Sequence, residues 1–501
     1  NGVPFAKGEL KDVARTRLLA GDGNQVPGQT KALTYWPDGS IKSLLVDCVA
    51  PTAGPKLTLE YGSSVRRAAH AGNLLATETA DGVTLANGST TVSFSRERSG
   101  LFTELCLDGR RLTAPDRPAS IVLTDAEQRT YSTLGAPERL VIEENGPVKA
   151  VILAAGHHRS ADGQSLFAYE IRFALHAAFP GVRVSYRWIN DHLDSEFASL
   201  ESIRFALPVD LSTAAQVAIG PETTAASRLG QERRLEQLSD GRFSTTGGPN
   251  GERAPGWIRI EGKDAAASLI CRRFWELYPK AIGNKQQALY VDLAPSFPEG
   301  TYDECSELDL IKLHYYVQGG TYKLRQGVSK QHDLWILGRD IDAAEATRLI
   351  NAPPVLAASP KHYDTTAAFG RFLPRDPGQS TRYDGVCERV YTRYLNGRES
   401  GKMYGALNFG DYWGERRVNW SNEEYDHQHS MAQMFMRSAD ARWYQLMIDA
   451  ARHDIDVDHC HASRSPDRVG GKWTHSMGHT GGYIGKRYKG EWGSPGAGMT
   501  P

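Results

Sequence analysis

No Cys-x-x-Cys pair occurs among the six cysteines of this 501-residue chain, Cys48, Cys106, Cys271, Cys305, Cys387 and Cys460. Their scatter argues against a zinc ribbon or a redox motif and predicts buried thiols. No apolar run approaches the length of a membrane span. Charge of one sign is lacking too: 58 Lys and Arg stand against 59 Asp and Glu, a formal net charge of -1. That balance excludes a basic field for nucleic acid or anionic lipid, so any selectivity must come from local clusters. There is no initiator Met and no signal peptide, because the chain opens Asn1-Gly2-Val3-Pro4-Phe5. The expectation is a processed or cut N-terminus on a secreted or periplasmic protein. What is present is ten Trp and twenty-one Tyr, a supply that suits stacking on sugars as well as filling cores. The length is too great for one ordinary core and predicts about three domains.

From Val3 to about Ala80 the chain reads as short strands separated by turns. Trp36-Pro37-Asp38-Gly39-Ser40 is the strongest of these, with Pro preset at the first central position and Gly tolerant of positive φ; Ile41–Val46 follows as a strand. Val92-Ser93-Phe94, Val148–Ala154 and the alternating Phe167–Ile189 continue the strand pattern. The polar members of the last run, among them Tyr169, Glu170, Arg172, His176, Arg183, Arg187 and Asn190, predict a wet, partly cationic sheet face. Ala214 to Gly256, rich in Gly, Ser, Thr and Arg, reads as a long excursion of poor order. Strands are predicted again at Trp257–Ile260, Ala265–Ile270, Gln287–Val291, Asp309–Gln318 and Asp333–Leu337, making one large antiparallel β-sandwich. Asp342–Leu349 predicts a helix, and Asn351-Ala352-Pro353-Pro354 breaks it. After a linker at 351–365 the pattern turns helical, over Gly385–Leu395, Glu423–Arg437 and Ala441–Ile455.

The densest set of ionisable side chains lies at Asn419–His429. Ser421 with Glu424 three residues on predicts a capping box and a helix start. Tyr425 and Asp426 would then stack beside His429 at the N-terminal end of that helix, where the dipole favours an anion.

The opening Gly2-Val3-Pro4-Phe5-x-Lys7-Gly8 with Trp36–Lys42, the Arg273–Lys280 stretch (Arg-Phe-Trp-Glu-Leu-Tyr-Pro-Lys), Gly327-Val328-Ser329-Lys330-Gln331-His332 and Asn422-x-Glu424-Tyr425-Asp426-x-x-His429 together resemble the exo-rhamnogalacturonan lyases of polysaccharide lyase family 26 and their uncharacterised relatives. The resemblance implies a small N-terminal β-barrel (1–80), a large central antiparallel β-sandwich (81–350) and a C-terminal α/α toroid (366–501). It also implies elimination at an acidic sugar, with the substrate a rhamnogalacturonan-type or rhamnose-glucuronate glycan such as pectin offers, attacked from its end. In the related family the position of Lys330 often looks like Arg.

Elimination needs a cation or strong donor to neutralise the uronate carboxylate, a base for the C5 proton and an acid for the departing O4. Lys280, closing an aromatic stretch that includes Trp275, reads as a base or a carboxylate clamp, or else as a strand-end lysine. Lys330 and His332 alternate, so on a strand both point to one face and can hold an anion or relay a proton. Tyr425 and His429 are placed to protonate the leaving group, with Asp426 orienting a His tautomer. Asn408, Asp411, Trp413, Asn422 and Glu424 offer hydrogen bonds and a stacking surface; Arg172 and Arg187 are further candidates for carboxylate binding. Which residue is base and which acid stays open at this point, as does the oligomeric state.

Metal is the competing reading of the His-rich part. Seven of fifteen His lie between His427 and His479, including His459-x-His461 and His475-x-x-x-His479, but no His-Glu-x-x-His motif is present. Asp454, Asp456 and Asp458 alternate without an EF-hand's Gly and Glu. No cofactor is required, and irregular Ca²⁺ binding remains open. Two other functions compete: a glycosidase with a carboxylate pair from Asp411, Glu415, Glu424 and Asp426, which releases saturated sugars, and a carbohydrate-binding protein without turnover.

A toroid of about six helix hairpins requires on the order of 250 residues, more than follow residue 360. The chain ends in the loop-like Gly493–Pro501. The expectation is therefore a segment of a longer protein whose toroid is incomplete, with the Met434/Phe435 and Leu446/Met447 stripes partly uncovered.

Overall fold

The computed structural model describes residues 2–49, 56–68, 75–97, 100–114, 116–222, 227–376, 378–414 and 420–473, with the backbone of 499–500. Glu415, His475 and His479 lie outside these residues. At the N-terminus two three-stranded antiparallel sheets, one built on Ile41–Cys48 and the other on Thr16–Leu19, close over Phe5, Leu10, Leu18, Val26, Ile41, Leu44 and Val46. Gly39, at φ +80°, makes the turn that the Trp36–Ser40 stretch predicts.

The second unit is a sandwich. A five-stranded sheet running from Ala76–Glu78 to Arg110–Arg111 packs on a seventeen-stranded sheet, and one continuous apolar core joins them. Alternation is strict where the site forms. Ile171, Tyr186 and His332 are cross-strand neighbours facing the interior, and Tyr169, Trp188 and Lys330 form the next interior row. The intervening rows, Glu170–Arg187–Gln331 and Arg172–Ser185–Asp333, face outward. Ala214–Gly256 is no loose excursion: Gln216–Ile219, Arg233–Ser239 and Arg242–Thr245 are ladder strands, and the buried Val217, Ile219, Leu235 and Phe243 are what their polar surroundings concealed. The strand expected over Asp309–Gln318 is instead helix α1 (Glu307–Lys312), because Ser306 caps it by accepting the Asp309 amide at 3.1 Å.

Helices α2 (Ala343–Asn351) and α3 (Pro360–Thr366) lead to a helical part with α4 (Thr381–Ser400), α5 (His427–Ser438) and α6 (Ala441–His453). Met431, Phe435, Met436, Trp443, Leu446 and Ala450 pack with Tyr363 into its core, while Met434 and Met447 stay half-buried. The capping box does not form. Ser421 hydrogen-bonds Asp411 instead, and Asn422, Glu423 and Asp426 all take positive φ, so the helix starts only at His427. Tyr425 and Asp426 therefore precede the helix rather than stacking on its first turn.

Candidate active site

The strand Ser329–Leu337 carries Lys330 and His332 into the sandwich interior, where Lys280, from the strand Lys280–Lys285, meets them. All three are almost fully buried. Lys280 donates to the Leu293 carbonyl at 2.8 Å, and burial, reinforced by the Lys330 charge, pulls its amine down to about 7. His332 is held well below its ordinary value by burial and by both lysines, so it is neutral. Its Nδ1 has no hydrogen-bond partner among the described residues.

Lys330 also faces the helical part. Its edge of the sheet, residues 329–333, is closed by the turn Asp454–Asp458: Asp456 accepts the Gln331 amide at 3.1 Å and lies 3.6 Å from Lys330 Nζ. Burial lowers the Lys330 pKa against the pull of Asp456. Around it a cavity of about 40 Å³ is lined by Arg272, Arg273, Lys330 and Arg452 and by Asp333, Asp449 and Asp456, together with Gln331, Leu277 and Phe409. Three arginines and Lys330 thus face three carboxylates. Asp333 is bound by Arg183 at 3.0 Å, Ser185 at 2.7 Å and Arg452 at 3.2 Å; burial opposes its ionisation, but these partners hold it well below the carboxylate range. Arg273 pairs with Asp449 and Glu276, each at 2.9 Å. The Nε–H groups of Arg272 and Arg273 are buried without an acceptor among the described residues. The space admits a carboxylate or a few waters, not a sugar ring.

The other sequence candidates divide between structure and surface. Asn408 donates to Leu313 and Tyr404 carbonyls, and Asp411 accepts the Asn422 amide at 3.0 Å and the Tyr412 amide at 2.7 Å, so both organise the loop before α5. That loop lies close against α6: a Cβ on Gly410 would stand 2.4 Å from the Asp449 carbonyl. Asn422 is buried and donates to the Trp473 carbonyl. Trp413 packs edge-on against Trp420, and Trp275 lies between Tyr404 and the Arg253 guanidinium. Tyr425 is 63% exposed; His429 is exposed and bonds Gln433, and Asp426 is exposed with Glu424 half-buried beside it. Arg172 is engaged by Glu143 and Glu170, and Arg187 by Ser329, His461 and Glu170, so the outward sheet face is ion-paired. His461 and His459 bond the Ile455 and Asp454 carbonyls. Among the described residues no group of three or more His, Cys, Asp or Glu is placed to hold a metal ion.

Two functional-looking residues escaped the sequence reading. Glu423, fully buried, contacts His427 on the first turn of α5, and the i,i+4 spacing of the two was the available signal. Burial, then Asp411, Asp458 and Asp454, raise the Glu423 carboxyl well above its ordinary value, while burial lowers His427 to about 4. His453 lies behind them, 3.3 Å from Asp458 and 3.8 Å from Asp411. His427 opens onto a groove of about 810 Å³ bounded by α4, α5 and α6, with Met434 and Leu446 in its wall.

Residues 1–44 match the PcRGLX-like N-terminal RIFT barrel domain and residues 74–215 the PcRGLX-like protein central beta sandwich domain. The chain therefore carries the barrel and sandwich domains of the exo-rhamnogalacturonan lyase-like family that its motifs resemble. It is 27% identical over 163 residues to the uncharacterized protein YetA of Bacillus subtilis, a match that takes in 31% of this chain and spans 19% of that relative's length. Among solved structures it is similar to a galactose mutarotase related enzyme from Lactobacillus acidophilus (9% identity, TM-score 0.31, 52% of this chain and 97% of that one). A galactose mutarotase-like protein from Clostridium acetobutylicum is similar at 10% identity and TM-score 0.30, covering 54% of this chain and 98% of that one.

Proposed function

We propose that this chain belongs to an exported polysaccharide lyase that cleaves a uronate-containing glycan, of rhamnogalacturonan or rhamnose-glucuronate type, by β-elimination from the chain end. The observation that carries the reading is the cavity beside Lys330. It has the volume of a carboxylate, three arginines in its lining, and two buried guanidinium N–H donors without an acceptor among the described residues. A uronate carboxylate seated there loses its charge to Arg272 and Arg273, which is what makes the neighbouring C5 proton removable. Lys330 is the lysine that lines this space, and its burial, which lowers its pKa and so favours giving up its proton, suits it to the role of base. The C5–H electrons form the C4–C5 double bond, the C4–O4 bond breaks, and O4 takes a proton from a donor on the helical side, where Tyr425 and His429 are the exposed candidates. Lys280 and His332 lie behind Lys330 as positioning groups.

Digestion of rhamnogalacturonan and of glucuronate-bearing fragments tests this. The expected products absorb ultraviolet light through the new conjugated double bond and weigh one water less than hydrolysis products. Saturated products would replace elimination by hydrolysis. Lys330→Ala is expected to lower turnover by at least about tenfold, and unchanged turnover would remove the site from this cavity.

A further inference from the structure

The groove on the helical part differs in kind from the cationic cavity. Phe372, Tyr383, Tyr391, Tyr394, Tyr412 and Trp443 give it six aromatic walls, and its volume of about 810 Å³ falls within the range of small-molecule clefts, roughly 300–1,000 Å³. Its charge is already neutralised, because the Arg437 guanidinium is bound to the buried Asp384 at 2.6 Å. Arg437 Nη2 stays buried without an acceptor among the described residues, a donor that a sugar hydroxyl can meet. Its polar end is the His427 ring, with Tyr412 edge-on at 5.2 Å and Tyr394 at 6.1 Å, and with Ser430 one turn further along α5.

The buried Glu423 fixes that ring. Its carboxyl contacts His427 Nδ1, and Nε2 has no hydrogen-bond partner among the described residues. A carboxyl whose protonated form is favoured among Asp411, Asp454 and Asp458 turns its proton toward Nδ1 at this contact, an arrangement in which the neutral imidazole carries its own hydrogen on Nε2 and offers it as a donor. Aromatic platforms for C–H faces, hydrogen-bond donors and no unpaired charge match the surface of an uncharged sugar.

We infer that this groove is a binding site for a neutral sugar residue, with His427 as its hydrogen-bond donor and Glu423 as the positioning residue behind it. The choice of saccharide as ligand class rests on the lyase reading; the neutrality of the sugar rests on the groove alone. Under that reading a uronate is gripped at the cavity beside Lys330 and an uncharged unit of the same glycan at the helical groove.

The test uses methyl α-rhamnopyranoside, methyl β-galactopyranoside and galactobiose as probes, which carry no carboxylate and so cannot undergo the elimination. Binding is followed by saturation-transfer NMR and by the fluorescence of the tryptophans. Saturable binding of at least one probe is expected, weakened at least about tenfold by His427→Ala and by Ser430→Trp. The second variant sits at an exposed helix position and fills the groove without touching the Glu423–His427 contact. No saturable binding up to the solubility of every probe, or binding left intact by Ser430→Trp, overturns the inference. So does a concentration-dependent dimer that Ser430→Trp converts to monomer, since a second copy would then be the occupant. Neutral-sugar binding without any unsaturated product from uronate glycans would instead sink the elimination alone.

Discussion

Lys280 shows what one buried amine does to a fold. Its pKa is lowered from 10.5 to about 7, so between those values the unfolded chain binds a proton that the folded one does not. Stability then rises with pH across that window, by about 1.4 kcal/mol per unit at most, and the cost is fully present below pH 7. Lys280→Met removes the titrating group and leaves the Leu293 carbonyl without its donor. Urea unfolding from pH 6 to 9.5 is expected to show the wild type gaining on Lys280→Met as pH rises; a constant difference would mean that the amine is not depressed. The residue scale is also where alternation was most informative. Lys330 and His332 share a face because side chains on a strand repeat every second residue, a property of the local backbone alone. That both turn inward, against Trp188 and Tyr186, depends on the strand Gly181–Ile189, some 150 positions earlier.

At the scale of the element, the edge of Ser329–Asp333 is completed by a turn of another domain. Asp456 takes the Gln331 amide and sits against Lys330 where a further strand would otherwise pair. Asp456→Ala leaves the buried Lys330 side chain and a buried amide unmatched, at a cost of about 3 kcal/mol. Hydrogen exchange should accelerate at Gln331, and unchanged protection there would show that the edge is held by other contacts. The start of α5 carries the opposite lesson. Ser421 and Glu424 have capping-box spacing, yet Asp411, ten residues upstream, claims the Ser421 hydroxyl. A local motif lost to a nonlocal partner, and three positive-φ residues followed.

Across the whole molecule, Gln29 locks the barrel to the sandwich. Its carboxamide oxygen accepts the Lys149 amide at 3.1 Å, its nitrogen donates to the Lys149 carbonyl at 3.1 Å and to Glu144, and Lys149 Nζ reaches Asp47 at 2.8 Å. Gln29→Ala is expected to separate the thermal unfolding of barrel and sandwich into two transitions in calorimetry; a single unshifted transition would mean that the apolar contacts suffice. On the other side the pairs Arg273–Asp449 and Asp333–Arg452 tie the sandwich to α6, so the proposed carboxylate cavity is itself a domain junction.

The sequence by itself determined the order of architectures, barrel then sandwich then helices, because turn residues, period-two alternation and helical spacing are encoded in neighbours. It also determined the membership of Lys280, Lys330 and His332 in the β part. Only the tertiary structure decided that these three meet, that Arg172 and Arg187 are occupied by Glu143, Glu170 and His461, and that Glu423 stands behind His427. Burial and ion pairing are sums over residues far apart in the chain. No window of sequence contains them.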